Sequence, residues 1–259
     1  MLHTDFYLSI YVYGLAIILG SIFGSFINCM SWRIVHGESV WKGRSHCTSC
    51  GHVLHTRDLV PILSYVFLRG ECRYCKEKVS IRYVFIEILL VVVFISFIWK
   101  YGISFLTLRY LVLACILLGL ALVDFDSYEI PDGFIMTGIF WWLITIPFID
   151  NSIVEQLKTG LLGGGAIGGG VLMLSLLMDK LLKKESMGGG DIKLFFMLGL
   201  YMGPALSLFN LNISCILGIF IVVLMKKNRI PFGPAIVGAS WITFLWGGDI
   251  VSWYWELFI

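Results

Sequence analysis

The chain of 259 residues is far more apolar than a soluble domain, because 58% of its residues are hydrophobic and only 14% are charged. Soluble domains carry about 25% charged residues. The formal net charge of +2 says little, because the charges are segregated along the chain. From the apolar composition we expect a lipid bilayer as a partner, and we expect no nucleic acid. The composition predicts an all-α membrane protein that crosses the bilayer several times.

Apolar runs close to the ~20 residues that span a bilayer follow one another along the chain. The first covers residues 6–32, and we expect it to be retained because Asp5 precedes it in place of the basic start of a signal peptide. Residues 192–225 are expected to turn back at Gly203-Pro204, because proline breaks a helix, and to supply two spans. Further runs lie at 83–99, 105–123, 134–149, 159–178 and 234–246. The sequence therefore predicts about eight transmembrane helices.

Two glycine triplets, Gly163-Gly164-Gly165 and Gly168-Gly169-Gly170, lie inside the run at 159–178. Small residues let membrane helices approach closely, so a packing face is the favoured interpretation. An unwound stretch that contacts a substrate is the alternative.

The basic residues predict which side of the membrane each loop occupies. With eight spans, sixteen Lys and Arg residues fall in the loops 33–82, 180–193 and 226–229, and three fall on the other side. Cytoplasmic loops carry the excess of positive charge. We therefore expect both termini outside the cell membrane and the loop 33–82 in the cytoplasm, between the first two helices.

This loop contains two C-x2-C pairs, Cys47 with Cys50 and Cys72 with Cys75. Two such pairs are typical of a structural zinc site with four thiolate ligands, and a cytoplasmic location argues against disulfides. A redox dithiol is the alternative, although one pair would suffice for it. The other cysteines are expected to pack among apolar residues and the nearby histidines to lie in solvated loop: Cys29, Cys115, Cys215, His46, His52 and His55.

Two carboxylates lie at the expected cytoplasmic ends of apolar runs. Asp124 follows one run directly, and Asp191 follows three glycines, which let another backbone approach closely. A pair held at short range shares a proton, because both carboxylates cannot ionise cheaply. The ionised member can then activate water while the protonated member polarises a carbonyl group. An ion or proton relay in a transporter is the alternative.

Other acidic residues in this region have simpler expected roles. Asp132 follows Pro131 and precedes an apolar run, so we expect it to cap the next helix. Asp126 and Glu129 are expected to face water.

Short motifs are spread from the first apolar run to the last: Gly24-Ser25-Phe26-Ile27-Asn28, Gly70-Glu71-Cys72-Arg73-Tyr74-Cys75, Ser80-Ile81-Arg82-Tyr83 with Glu87, Asp124 with Ile130-Pro131-Asp132, Gly188-Gly189-Gly190-Asp191-Ile192-Lys193, and Ile230-Pro231-Phe232-Gly233-Pro234. Together they resemble the type IV prepilin peptidases, a family of membrane aspartic proteases with a GxGD signature. The resemblance covers essentially the whole chain.

The resemblance implies that Asp124 and Asp191 are catalytic residues of an aspartic endopeptidase, with Gly188, Gly190 and Lys193 as supporting motif residues. Family members cut the basic leader from prepilins and pseudopilins after a glycine, on the cytoplasmic side of the inner membrane, in type IV pilus assembly and protein secretion. Many then methylate the new N-terminus with S-adenosylmethionine. No motif in this sequence marks where that cofactor would bind.

The resulting prediction divides the chain into a first transmembrane helix at 1–32, a cytoplasmic zinc-binding loop at 33–82 and a transmembrane peptidase domain at 83–259. Two other functional classes stay open. One is a transporter or proton relay that uses the paired aspartates, and the other is a non-catalytic scaffold for pilus or secretion assembly.

Overall fold

The fold is built almost entirely from α-helices. The computed structural model describes residues 6–40, 42–149, 152–184, 187–225 and 230–257. Within these ranges the only β-pairing consists of isolated bridges. The chain divides into two compact units, Met1–Gly119 and Leu120–Ile259.

The helices follow the apolar runs of the sequence. They are α1 (Phe6–Val35), α2 (Leu63–Phe67), α3 (Arg82–Tyr101), α4 (Phe105–Ser127), α5 (Asp132–Thr145), α6 (Ile153–Leu182), α7 (Gly189–Met225), α8 (Gly233–Ile242) and α9 (Gly248–Glu256). A π-helical segment, Thr243–Gly247, joins α8 to α9.

In the first unit, α1 packs against α3 through two glycines. A Cβ added at Gly20 would lie 2.9 Å from the Cα of Val91, and one added at Gly24 would lie 2.8 Å from the Cα of Glu87. Small residues at such a contact let two helix backbones approach closely. Because the later α1 residue meets the earlier α3 residue, the two helices run antiparallel.

In the second unit, α6 packs on α7 through the glycine triplets. A Cβ added at Gly199 would lie 2.7 Å from the Cα of Gly164, and Gly163 contacts the same part of α7. A Cβ added at Gly168 would lie 2.8 Å from the Cβ of Phe196. The packing-face prediction is confirmed for these glycines, whereas the remaining members of the triplets have open space around them.

The helix α7 is broken at Gly203, where φ is 72° and ψ is 179°, a combination that is essentially restricted to glycine. The contacts of Phe232 with residues on both sides of Gly203 show that the chain folds back at this glycine. Its ring centroid lies 6.3 Å from that of Phe195, and a Cβ added at Gly218 would lie 2.8 Å from the same ring. In one straight helix, residues 195 and 218 would be about 34 Å apart. The predicted turn at Gly203-Pro204 is confirmed.

The number of spans differs from the expected eight. Among the described residues, six helical stretches are long and apolar enough to cross a membrane: Phe6–Val35, Arg82–Tyr101, Phe105–Ser127, Ile153–Leu182, Gly189–Met225 and Gly233–Glu256. The physical reason is length. The run expected at 134–149 forms α5, which has only 14 residues, and the part of α7 before Gly203 would rise only about 21 Å, against a hydrocarbon core of about 30 Å. The chain is a multi-pass membrane protein, and the part of it that the structure describes contains six candidate spans.

Candidate active site and cysteine cluster

Asp124 lies in the last turn of α4 and is almost fully buried, with 4% of its surface exposed. Its Oδ2 accepts a hydrogen bond of 2.8 Å from the backbone N–H of Gly233. Gly233 begins α8, so this donor is one of the N–H groups that a helix leaves unpaired at its start. A helix N-terminus is a favourable place for negative charge.

Glycine is required at position 233 for this contact. A Cβ there would lie 2.6 Å from the Oδ2 of Asp124, which is far inside van der Waals contact. The sequence pointed to the stretch around Gly233 only as a motif. Its role as a hydrogen-bond donor to Asp124 was missed, because the two residues are 109 positions apart in the chain.

Asp191 lies in the first turn of α7, next to the glycines that precede it. A Cβ at Gly188 would lie 3.3 Å from the Oδ2 of Asp191, and one at Gly190 would lie 2.8 Å from the Cβ of Ile130. These glycines therefore let the start of α7 approach the segment that follows α4. The structure brings Asp191 and Asp124 within range of a direct electrostatic interaction.

Asp132 does not cap α5. The helix starts at Asp132 itself, its N-cap residue is Pro131, and no side chain caps it. The carboxylate instead accepts a hydrogen bond of 2.7 Å from the Nζ of Lys193, in an ion pair whose side chains are 66% and 54% exposed. The expected cap is wrong because the start of α7 brings a cation to the carboxylate. Asp126 and Glu129 are exposed, as expected.

The four cysteines of the loop form one cluster in the first unit. Their Sγ atoms all lie within 4.8 Å of one another, and those of Cys47 and Cys75 are 3.9 Å apart. Four sulfurs around a tetrahedral zinc ion with Zn–S bonds of about 2.3 Å lie about 3.8 Å from one another. The geometry fits a metal of that kind. Among the described residues, no histidine belongs to this group.

Both cysteine pairs lie in turns of the same design. The N–H of Cys47 donates to the carbonyl of His52, and the N–H of Cys72 donates to the carbonyl of Glu77. The residue after the second cysteine has positive φ in each turn, Gly51 at 70° and Lys76 at 61°. Two equivalent turns thus present two thiols each to a common centre.

Comparison with known proteins places the chain in a family. A family model described as Bacterial Peptidase A24 N-terminal domain matches residues 18–101, and one described as Type IV leader peptidase family matches residues 111–223. A protein from Pseudomonas putida named prepilin leader peptidase/N-methyltransferase is 32% identical, with 93% of each chain covered. The chain belongs to the type IV leader peptidase family.

Other relatives support the same family. A protein of the same name from Neisseria gonorrhoeae is 31% identical, over 95% of this chain and 96% of its own length. A leader peptide-processing enzyme for type 4 prepilin-like proteins from Escherichia coli is 32% identical, over 86% and 89%. No solved structure matches this leader peptidase family member.

The hydrogen bonding around the thiols affects their ionisation in this family member. The backbone N–H of Cys50 lowers the pKa of the Cys47 thiol to about 6. The backbone N–H of Glu77 acts in the same direction on Cys75, but loss of water and the neighbouring thiols raise the pKa of Cys75 to about 12. The four thiols therefore do not all ionise by themselves, and a bound cation would be needed to make each of them a thiolate.

Asp58 connects the two halves of the cysteine loop and was missed by the sequence analysis. Its side chain is only 2% exposed and lies 2.6 Å from the Nε of Arg73. It also accepts hydrogen bonds from the Tyr74 hydroxyl at 2.9 Å and from the His55 N–H at 3.2 Å. Burial opposes ionisation, but these three donors outweigh it and lower the pKa of Asp58 below its usual value. The available signal was that Asp58 is the single aspartate in the basic loop 33–82.

Proposed function

We propose that this chain is a membrane-embedded aspartic endopeptidase that removes the basic leader from type IV prepilins or pseudopilins. The observation that carries the proposal is that Asp124, which accepts the N–H of Gly233, lies near enough to Asp191 for the two charges to interact. The names of the relatives, prepilin leader peptidase/N-methyltransferase, support the same substrate class.

The proposed reaction uses one proton held between two carboxyl groups. The ionised aspartate takes a proton from a water molecule as the water oxygen attacks the scissile carbonyl carbon. The protonated aspartate donates its proton to the carbonyl oxygen, which gives a tetrahedral intermediate. Proton return to the amide nitrogen then breaks the C–N bond. The Gly233 N–H holds one oxygen of Asp124 in place, so that the other is the one that can meet the water.

The substrate class fits the charges of this side of the second unit. Asp126 and Glu129 are exposed close to Asp124 in the chain, and they would attract a basic leader. An apolar segment after the leader would lie among membrane helices. We place Asp124 on the cytoplasmic side of the membrane, which the nine Lys and Arg residues of the loop 33–82 support. Cleavage after a glycine, both termini outside and a location in the inner membrane are further parts of the proposal. The basic residues 226–229, which the charge count over eight spans included, lie outside the described residues.

Two cofactors belong to the proposal. The four-cysteine cluster would hold one structural zinc ion, which its sulfur spacing supports. The name N-methyltransferase carried by the relatives supports a second activity, in which S-adenosylmethionine supplies a methyl group for the new N-terminal amine.

Cleavage of a synthetic prepilin by the purified chain in lipid nanodiscs tests the proposal, with mass spectrometry of the products. We expect cleavage by the wild-type chain and by Asp249→Asn, which makes the same chemical change at an exposed residue of α9. We expect Asp124→Asn and Asp191→Asn to lose activity by about 10³-fold. A wild-type chain that cleaves no prepilin but moves protons across the bilayer would support a transporter instead. Normal cleavage by either aspartate variant would contradict the paired-carboxylate mechanism.

A further inference from the structure

The loop between α1 and α3 contains one apolar stretch that differs from the rest of it. Residues 59–68 include no charged residue, although the loop 33–82 carries nine Lys and Arg residues. The short helix α2 lies in this stretch, and its outer face is formed by Leu63, Val66 and Phe67, at positions i, i+3 and i+4. Their exposed fractions are 54%, 62% and 81%. An exposed apolar surface of this kind indicates a partner.

A hydrogen bond fixes the start of α2 beside α3. The N–H of Ile62 donates to the Oε2 of the buried Glu87 at 2.7 Å. Glu87 lies about 7.5 Å along the helix axis from the start of α3 at Arg82. Because α3 has 20 residues, it rises about 30 Å, which is the whole thickness of the hydrocarbon core. Glu87 therefore lies inside the bilayer boundary. Helix side chains lean toward the N-terminus, so Ile62 lies between the start of α3 and the level of Glu87.

The backbone at this attachment is strained. Ile62 has φ 60° and ψ −54°, and the N–H of Leu63 donates to the carbonyl of Pro61. This is a γ-turn of the rare positive-φ type, and positive φ is a clear outlier for a β-branched residue. Such strain persists only where the surrounding structure requires it. Here it directs the N–H of Ile62 to Glu87 and so keeps the start of α2 at this depth.

The other end of α2 is attached just before α3 begins. The Tyr65 hydroxyl donates to the carbonyl of Val79 at 3.3 Å, and the N–H of Val79 donates to the carbonyl of Gly70 at 2.7 Å. Val79 precedes the start of α3 at Arg82. The two attachments thus place α2 alongside the first turns of α3, at the boundary of the bilayer. Interfacial helices lie about 5–10 Å deep in the region between headgroups and acyl chains.

The lipid-facing surface of α3 begins at the same level. Four exposed residues form one stripe that starts at the N-cap of α3, at positions i, i+4, i+7 and i+11: Ile81, Phe85, Ile88 and Val92. Because α3 is a candidate membrane span, this stripe faces acyl chains. Ile81 comes two residues after Val79, which contacts the end of α2. At this depth the default neighbour of an exposed side chain is lipid rather than water.

We propose that α2 is an interfacial anchor, with Leu63, Val66 and Phe67 inserted into the leaflet on the side of the cysteine loop. Arg69, exposed directly after α2, would reach the phosphate headgroups of that leaflet. The anchor would hold the cysteine turns at the membrane surface. The inference concerns contact with lipid and does not rest on the peptidase chemistry.

Photocrosslinking of the full zinc-loaded chain in nanodiscs of phosphatidylethanolamine and phosphatidylglycerol tests the anchor. The side chain of p-benzoylphenylalanine inserts into C–H bonds within its reach and does not react with water. We expect Phe67→p-benzoylphenylalanine to form lipid adducts, which mass spectrometry detects. Their yield should lie within about twofold of the yield from Phe85→p-benzoylphenylalanine on the lipid-facing stripe.

The matched control is an exposed residue of the same loop that lies farther from the bilayer. Gly24 of α1 packs at the level of Glu87, and α1 continues from there to Val35, about 16 Å along its axis. Glu38 is exposed beyond this end. We expect Glu38→p-benzoylphenylalanine to give about tenfold fewer lipid adducts than the variant at Phe67.

Leu63→p-benzoylphenylalanine, on the same face of α2, keeps the test decisive if the change at Phe67 lowers the zinc content. It should also form lipid adducts. Yields at Phe67 and Leu63 no higher than at Glu38 would mean that α2 faces water and would overturn the proposal. Adducts that join these two positions to added prepilin, to a second copy of the chain or to another part of the same chain in place of lipid would overturn it as well.

Discussion

The four cysteines and the two aspartates lie in different compact units and are held by different kinds of structure. The cysteines lie in two turns whose hydrogen bonds connect residues only five positions apart, such as Cys47 with His52. The aspartates lie at the ends of apolar helices, and the hydrogen bond that positions Asp124 comes from Gly233, 109 positions away. Both arrangements bring together groups that repel one another when they are ionised.

The difference lies in what overcomes that repulsion. The cysteine turns are short and have little apolar core of their own, so a bound cation is the element that would hold four thiolates together. The aspartate site relies on helix packing, in which glycines such as Gly190 and Gly233 let backbone and side chains approach closely. Removal of the metal should therefore disturb the cysteine cluster. A methyl group added at one of these glycines should instead disturb the aspartate site.

The largest effect is expected from loss of one thiol. Cys72 is the most buried of the four cysteines, with 5% of its surface exposed. We expect Cys72→Ser to reduce the zinc content of the purified chain from about one ion to nearly none, because three thiolates do not complete a structural site. Metal analysis by mass spectrometry measures this. Cys215→Ser, a change at an exposed cysteine of α7, should keep the zinc. A full zinc content in Cys72→Ser would contradict the proposal that a metal holds the four thiolates together.

An intermediate effect is expected from one methyl group at Gly233. A Cβ there would lie 2.6 Å from the Oδ2 of Asp124, so the carboxylate must move by several tenths of an ångström or more. A displacement of about 1 Å near reacting groups costs on the order of 10²-fold in rate. We expect Gly233→Ala to slow prepilin cleavage by about that factor and to keep its zinc.

The matched control for this change is Gly238→Ala in the same helix. A Cβ at Gly238 would lie 3.5 Å from the Cδ1 of Leu217, an ordinary contact. We expect near-normal cleavage from this variant. Equal rates for the two alanine variants would mean that the Gly233 contact does not position Asp124.

The smallest effect is expected from the exposed ion pair between Lys193 and Asp132. Such pairs contribute about 0–1 kcal/mol, although this one connects the starts of α5 and α7. Lys193→Met should change the rate of prepilin cleavage by less than about fivefold. Lys158→Met, at an exposed residue of α6, is the control. A loss as large as that of an aspartate variant would mean that Lys193 acts in the chemistry.

The same contrast explains what the sequence could predict. The cysteine cluster follows from local spacing, and the break at Gly203-Pro204 follows from the backbone preferences of its two residues. The donor contact from Gly233, the role of Asp58 and the buried position of Glu87 depend on tertiary packing, which no local pattern contains. The number of spans was overestimated because apolar composition does not determine where a helix ends, as α5 shows with its 14 residues.

The most direct test of the central claim compares the rates of prepilin cleavage by Asp124→Asn, Asp191→Asn and the double variant in the same nanodiscs. If the two carboxylates act as one unit, each single variant should lose about 10³-fold or more, and the double variant should be no slower than either single variant. Losses that multiply in the double variant, or a single variant that keeps its rate, would show that Asp124 and Asp191 do not share one reaction.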